Sequence, residues 1–348
     1  MSTILQLRVG ALFIAAVAPC LMVDTPPAAG AFPGDNGLIV TARCDDGAGC
    51  AAQHLWTVDA RSGARVQLTR GSDRDEDPSF SPEGRRIVFA RCPVAGHCRI
   101  ATIGVTGANE TDLTRAPRAD HAESPSFSPD GSRIVFTRRE RTGRHLFVMD
   151  ANVHDVTRLT SGRVQDRGAV YSPDGSSILF ERYETGAGFR IFKTAASGGT
   201  PSPLTSGPGD YSPSISPHGS GILFGRRAGT GSAIWIMHAD GTGERALTTL
   251  RAGISDAQPT FSPDGTQIVF NRLDSASPAG EPLMVMDATG RGQRAITPTA
   301  EFFHDADWQS LPPSGPAFER PRARCRSHTA RRTPAQCHRR TPTRANPS

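Results

Sequence analysis

Short runs of alternating apolar and polar residues, each bounded by turn-forming residues, fill the middle of the chain. Ile87-Val-Phe89, Ile134-Val-Phe136, Ile178-Leu-Phe180, Ile222-Leu-Phe224 and Ile268-Val-Phe270 have the two-residue period of a strand with one buried face. A turn of one kind precedes each run: Ser81-Pro-Glu-Gly84, Ser128-Pro-Asp-Gly131, Ser172-Pro-Asp-Gly175, Ser216-Pro-His-Gly219 and Ser262-Pro-Asp-Gly265. Proline presets φ at its turn position, and glycine takes the positive φ that closes a hairpin. Phe80, Phe127, Tyr171, Ile215 and Phe261 stand just before these turns and end a first strand. A further alternation follows each run, as in Leu146-Phe-Val-Met149, Ile234-Trp-Ile-Met237 and Leu283-Met-Val-Met286. After it comes a glycine-rich turn such as Asp240-Gly-Thr-Gly243. A short fourth strand then ends at Leu68, Leu113, Leu159, Leu204, Leu247 or Ile296, each followed by Thr.

The turns recur at steps of 47, 44, 44 and 46 residues. A repeat of about 45 residues holding four antiparallel strands is a propeller blade. Gly37-Leu-Ile-Val-Thr-Ala-Arg43 matches the second strand of the unit without a first. Asp307-Trp308-Gln309 matches a first strand without the rest, 47 residues after Phe261. The two fragments complete one blade. The sequence therefore predicts an all-β, six-bladed β-propeller of four-stranded antiparallel blades over residues 32–312, closed by a C-terminal strand that completes the N-terminal blade. Closure removes the open sheet edges of a linear stack.

The Ser-Pro-Asp-Gly turns, the Ile-Val-Phe strands and the Leu-Thr endings resemble the WD-like repeats of the TolB propeller. The resemblance covers about residues 34–312 and implies a TolB-like fold. It does not extend to the α/β domain that precedes the propeller in TolB, since only a few residues separate the N-terminal apolar segment from the first blade.

That segment, an apolar run Val9–Val23 after Arg8 and before Ala29-Gly30-Ala31, reads as a signal peptide over residues 1–31 with cleavage after Ala31. An uncleaved anchor is the alternative, and a lipoprotein would use Cys20. The chain carries a net charge of +5, and residues 313–348 hold nine Arg and one Glu, or +8. The remainder is then 5 − 8 = −3, so the basic character belongs to the tail. Lacking any apolar period, the tail is expected to be disordered and solvated; its charge would suit an anionic polymer. A nucleic-acid partner is not expected for an exported chain. No other apolar stretch is long enough to span a bilayer.

Cys44/Cys50 and Cys92/Cys98 follow the same tripeptide ending, Ala-Arg-Cys, in adjacent blades. Close pairs in an exported protein favour local disulfides that staple their own hairpins. A redox pair is the functional alternative, and His97 alone near the pairs is too little for zinc. Cys325 and Cys337 lie in the tail.

Asp75, Asp166, Asp210 and Asp256 recur five residues before the first-strand aromatic or apolar residue. Ala122 and Phe303 hold that position in the other two blades, Ala122 between His121 and Glu123, Phe303 beside His304 and Asp305. Repeat topology puts these residues in loops near the channel mouth, where a carboxylate ring suits a basic segment of a partner or a hard cation. Arg43, Arg91, Arg138, Arg182, Arg226 and Arg272 recur two residues after the strand's Phe, or after Thr41. They are expected to pair bidentately with the loop aspartate of their own or a neighbouring blade and so to lock blade to blade. Asp73-x-Asp75-x-Asp77 lacks the Gly and Glu of a calcium loop, and Trp56, Trp235 and Trp308 fall on core patterns. No H-E-x-x-H, G-x-S-x-G or phosphate-loop motif is present.

These observations predict an exported, non-catalytic monomeric propeller, secreted or periplasmic, without metal or cofactor. It would bind an envelope or secreted protein or other ligand through Asp75, Asp166, Asp210, Asp256, His304 and Asp305. The alternatives are a metal-dependent lyase or hydrolase acting on polysaccharide in the channel, and an envelope protein held to anionic polymer by its tail.

Overall fold

A computed structural model describes residues 33–45, 50–114, 121–153, 155–276 and 280–313. The predicted signal peptide, the tail beyond 313, and Cys20, Cys325 and Cys337 lie outside the described residues. The protein is all-β, and its strands pair antiparallel in sets of four. In the first set the inner strand is the C-terminal Phe302–Leu311, followed outward by Asp35–Cys44, Gln53–Val58 and Arg65–Gln67. The second runs Arg74–Phe80, Arg86–Cys92, Arg99–Gly104, Thr111–Asp112. Four more sets follow in the same order, beginning at His121, Gln165, Asp210 and Ile254.

Each set hands on to the next where a third strand begins. Parallel bridges join Gln53 to Arg74, Arg144 to Gln165 and Ser232 to Ser255. The Ala122 amide donates to Cys98 O at 3.0 Å, and the Gly209 amide to Phe189 O at 2.9 Å. The last hand-on closes the ring, with the Phe303 amide donating to Glu281 O at 3.0 Å. Apolar packing follows the same plan. Val40, Leu55, Phe80, Ile87 and Phe89 fill the space between the first two sets, and Ile39, Val58, Val269, Leu283, Phe303 and Trp308 fill that between last and first. Each such fully buried Phe or Ile is worth roughly 1.5–3 kcal/mol.

The repeat signature follows from hydrogen bonding. The Ser hydroxyl that opens each turn accepts the amide five residues on, as from Arg133 to Ser128 at 2.9 Å and Gln267 to Ser262 at 2.9 Å. Gly131 takes φ of +69° at the corner. The Thr after each fourth strand accepts an amide of the third strand: Leu55 to Thr69, Ile100 to Thr114, Leu146 to Thr160, Ile191 to Thr205, Ile234 to Thr248 and Leu283 to Thr297, at 2.9–3.1 Å. The fourth strand is only two or three residues long, so the hydroxyl satisfies an amide that pairing leaves over. Thr248→Val is expected to orphan the buried Ile234 amide and cost about 1–3 kcal/mol, read as a lower urea midpoint at unchanged slope.

Candidate functional site

The inner strands share an irregularity that shapes the ring's centre. Pairing of each inner strand with its neighbour shifts register, for example between Glu76 and Ser79 and between Ala257 and Thr260. One residue of each shift has left-handed backbone: Asp77, Ser124, Gly168, Ser212, Gln258 and Asp305, with φ of +50° to +61°. Such a bulge re-aims a side chain, and all six residues line one cavity of about 790 Å³. Five are not glycine, so the fold tolerates strain of the kind that collects at functional sites.

One arc of the cavity is acidic. Asp77 and Asp305 line it as close neighbours, near enough for the charge of Asp77 to act on Asp305. Asp77 also accepts the Ser124 amide at 2.9 Å and its hydroxyl at 2.8 Å, while Gln258 Nε2 donates to Asp305. Burial raises the pKa of Asp77, and burial with the neighbouring Asp77 and Glu76 charges holds Asp305 well above the carboxylate range. Burial also pushes Asp307 up to about 6 and Glu281 to about 7. Burial pushes Glu123 up, but His121 and Arg144 pull it below its usual value. The far arc is mixed. Arg167 donates to Glu181 Oε1 at 2.6 Å. Glu181 is 5% exposed and raised by burial. Its Oε2 and the Tyr171 hydroxyl, both at the cavity, lack hydrogen-bond partners among the described residues.

Asp75, Asp166, Asp210 and Asp256 sit elsewhere than expected. They lie on inner strands rather than in loops, each in register with the arginine of the next strand, and are 0–1% exposed. Arg91 Nε lies 2.7 Å from Asp75, and Arg182, Arg226 and Arg272 each place Nε 2.6 Å from Asp166, Asp210 and Asp256. The second oxygen of each carboxylate accepts from the same guanidinium at 2.8–3.0 Å. Each arginine thus takes the aspartate of its own blade, one of the two arrangements expected, and the pairs clamp strands within a blade without joining blades. Buried and occupied, these aspartates present nothing to a partner.

Arg226 reaches on to Glu244 at 2.7 Å and Arg272 to Gln293 at 2.8 Å. Where the aspartate is replaced, the arginine adapts. Arg43 pairs with Glu301 at 3.0 Å, and Arg138 stacks 4.6 Å over Phe147, with Ala122 in the aspartate's place. Burial lowers the pKa of His304, which with Asp305 is at the cavity. Asp73, Asp75 and Asp77 diverge: Asp73 faces Arg99, Asp75 faces Arg91, and Asp77 faces the cavity. Both disulfides, Cys44–Cys50 and Cys92–Cys98, are formed. Trp308 is core, while Trp56 and Trp235 are half-buried beneath Arg43 and Arg226. Asp77, Glu181 and Asp307 escaped the sequence reading. The signal for Asp77 was the repeat position two residues after Asp75, filled in every blade by Asp, Ser, Gly or Gln.

A closed ring of four-stranded blades around a cavity defines a β-propeller. The TolB beta propeller domain matches residues 115–311, and the chain belongs to that family. The fold is similar to TolB from Acinetobacter baumannii, at 20% identity and a TM-score of 0.66, over 80% of this chain and 68% of that one. It is also similar to a chain of a nidogen/laminin complex, at 10% identity and 0.63, over 79% and 99%. A third similar chain is an oligogalacturonate lyase in complex with manganese, at 14% and 0.53, over 76% and 84%. No curated protein matches the sequence. At these identities the likeness concerns the fold, which hosts binding proteins and enzymes alike.

Proposed function

We propose that the protein is an exported, non-catalytic propeller that binds a protein partner of the cell envelope at its central cavity. The carrying observation is the cluster of half-buried carboxyl groups there, above all the neighbouring Asp77 and Asp305. Burying carboxyls beside one another costs stability. Such groups gathered at a cavity mark a candidate functional site. A cationic group of a partner, such as a lysine or arginine side chain, would relieve that cost by ionising the pair. The Arg167–Glu181 side, with its unpartnered Glu181 oxygen, offers a second polar contact. Among the described residues no helix is long and apolar enough to cross a membrane.

The test is a crosslinked pull-down from the cell envelope with the full chain as bait, beside Asp77→Asn/Asp305→Asn. Both substitutions keep oxygen acceptors and remove only charge, so the control should fold. A partner recovered in fixed stoichiometry with the native chain and lost from the variant is the expected result. Retention by both would place binding outside the cavity. Bound metal together with cleavage of a polysaccharide would replace this reading by the enzymatic one.

A further inference from the structure

The blade that begins at Gln165 departs from the others at two linked positions on the cavity wall. Between the aromatic residue or Thr of the second strand and its arginine, the other blades carry Ala42, Ala90, Thr137, Gly225 or Asn271, and this one carries Glu181. Where the other inner strands hold a side chain at the left-handed bulge position, this one has Gly168. A Cβ there would stand 3.5 Å from Glu181 Oε1 and 3.7 Å from its Cγ, so the carboxyl lies against the space that a side chain would take. Glu181 thereby reaches the cavity from a second strand. Its Oε1 accepts from Arg167 at 2.6 Å. Its Oε2 is buried and has no partner among the described residues. A buried acceptor left without a donor is costly, and five blades do without a carboxyl at this position.

We propose that Glu181 is the anchor for a primary ammonium group, carried on a lysine side chain of the partner, and that it selects ammonium over guanidinium. This rests on the reading of the cavity as the binding site and names the group that enters it. Three carboxyls at the cavity each commit one oxygen to a fixed donor: Glu181 Oε1 to Arg167, Asp77 Oδ2 to the Ser124 amide and hydroxyl, and Asp305 Oδ1 to Gln258. Single remaining oxygens suit an ammonium, a compact charge with three rotatable donors. A guanidinium seeks both oxygens of one carboxylate in a planar fork. The charge of Asp77 reaches Glu181, so the acidic arc adds attraction for a cation held there. Phe189 and Tyr211 are half-buried at the same wall. Arg167 lies 4.4 Å over the Phe189 ring, and the charge of Glu181 acts on Tyr211. The two rings give the methylene stem of a lysine an apolar path. Of the arginines at the cavity, Arg144 and Arg167 are neutralised by Glu123 and Glu181. Arg227 is exposed, where solvent and salt screen its charge.

The full chain would be titrated with Nα-acetyl-lysine methylamide and with its arginine and norleucine counterparts, read by the NMR shifts of the Gly168 and Ser212 amides beside Glu181. The lysine probe is expected to bind about tenfold more tightly than the arginine probe, and the uncharged norleucine probe not at all. Glu181→Gln keeps an oxygen for Arg167, so it should fold, and it should bind the lysine probe at least about tenfold more weakly. If it melts early, Gly168→Ser asks the same question. Ser124 and Ser212 hold the same left-handed backbone, and the added hydroxyl competes for the carboxyl. Arginine bound as tightly as lysine, alanine methylamide bound as tightly (an amine without the stem, standing for a chain N-terminus), or unchanged lysine binding in a folded variant would overturn the proposal. The envelope pull-down separates the two readings. Lysine binding with no partner captured would retire the partner reading and uphold the ammonium site. A partner captured equally by the native chain and by Glu181→Gln would keep the partner reading and overturn the role given to Glu181.

Discussion

Replacing Asp210 by alanine is expected to destabilise the protein by about 3–5 kcal/mol, the cost of breaking a buried ion pair from one side. Asp210 is fully buried and meets Arg226 through both oxygens, at 2.6 and 2.9 Å. Removing the carboxylate leaves a guanidinium whose side chain is only 18% exposed, with Glu244 as its remaining acidic partner. The same loss is expected at Asp166, whose partner Arg182 is 12% exposed. Urea unfolding of Asp210→Ala, Arg226→Met and the double variant checks this. The double variant should recover much of the loss, since an apolar pair leaves no buried charge behind. If the single losses simply add, the pair is not the coupled unit described here.

The second large effect is a dependence of stability on pH, centred on the closing strand. Asp307 accepts the Phe80 amide at 2.7 Å, and burial pushes its pKa to about 6, against roughly 3.9 in an unfolded chain. The folded state therefore holds the proton more tightly than the unfolded state. This group's contribution is most favourable below the unfolded pKa, falls as pH rises from about 4 through about 6, and is flat above. Two pKa units amount to about 3 kcal/mol, less whatever water screens at this partly exposed site. Asp305, held well above the carboxylate range beside Asp77, extends the decline to higher pH. Asp307→Asn is thus expected to raise stability at pH 8 by roughly 1–3 kcal/mol, change it little at pH 4, and flatten the profile between. A variant no more stable than the native chain at pH 8 would mean that Asp307 ionises freely in the fold.

These two effects separate what local pattern conveys from what it does not. The Ser-Pro-Asp-Gly turns and the Leu-Thr endings each act within one blade, through hydrogen bonds spanning at most fourteen residues, so the sequence displays them at every repeat, and the two-residue period of the Ile-Val-Phe strands is equally local although their side chains pack between blades. Arg91, Arg182, Arg226 and Arg272 were legible as partners of the aspartates for the same reason, because each pair lies on adjacent strands. The sequence did not show that Asp75 and its counterparts are inside the strands. A bulge two residues later turns the chain, and a bulge is a property of pairing between strands that composition does not mark.

The cavity was the least legible feature. Asp77 and Asp305 are 228 positions apart in the chain, and the repeat position they share carries Ser, Gly or Gln in the other sets. Closure alone brings the last inner strand beside that of the second blade, and in doing so it sets two unremarkable aspartates close enough for the charge of one to raise the pKa of the other. Closure likewise places His304 of the closing strand against Cys50. By itself the sequence determined the blade, because the blade is built from local periodicity and turn chemistry. The chemistry at the centre was decided by tertiary structure, because burial and the approach of distant carboxyls set their charge, and both arise only when the ring is closed.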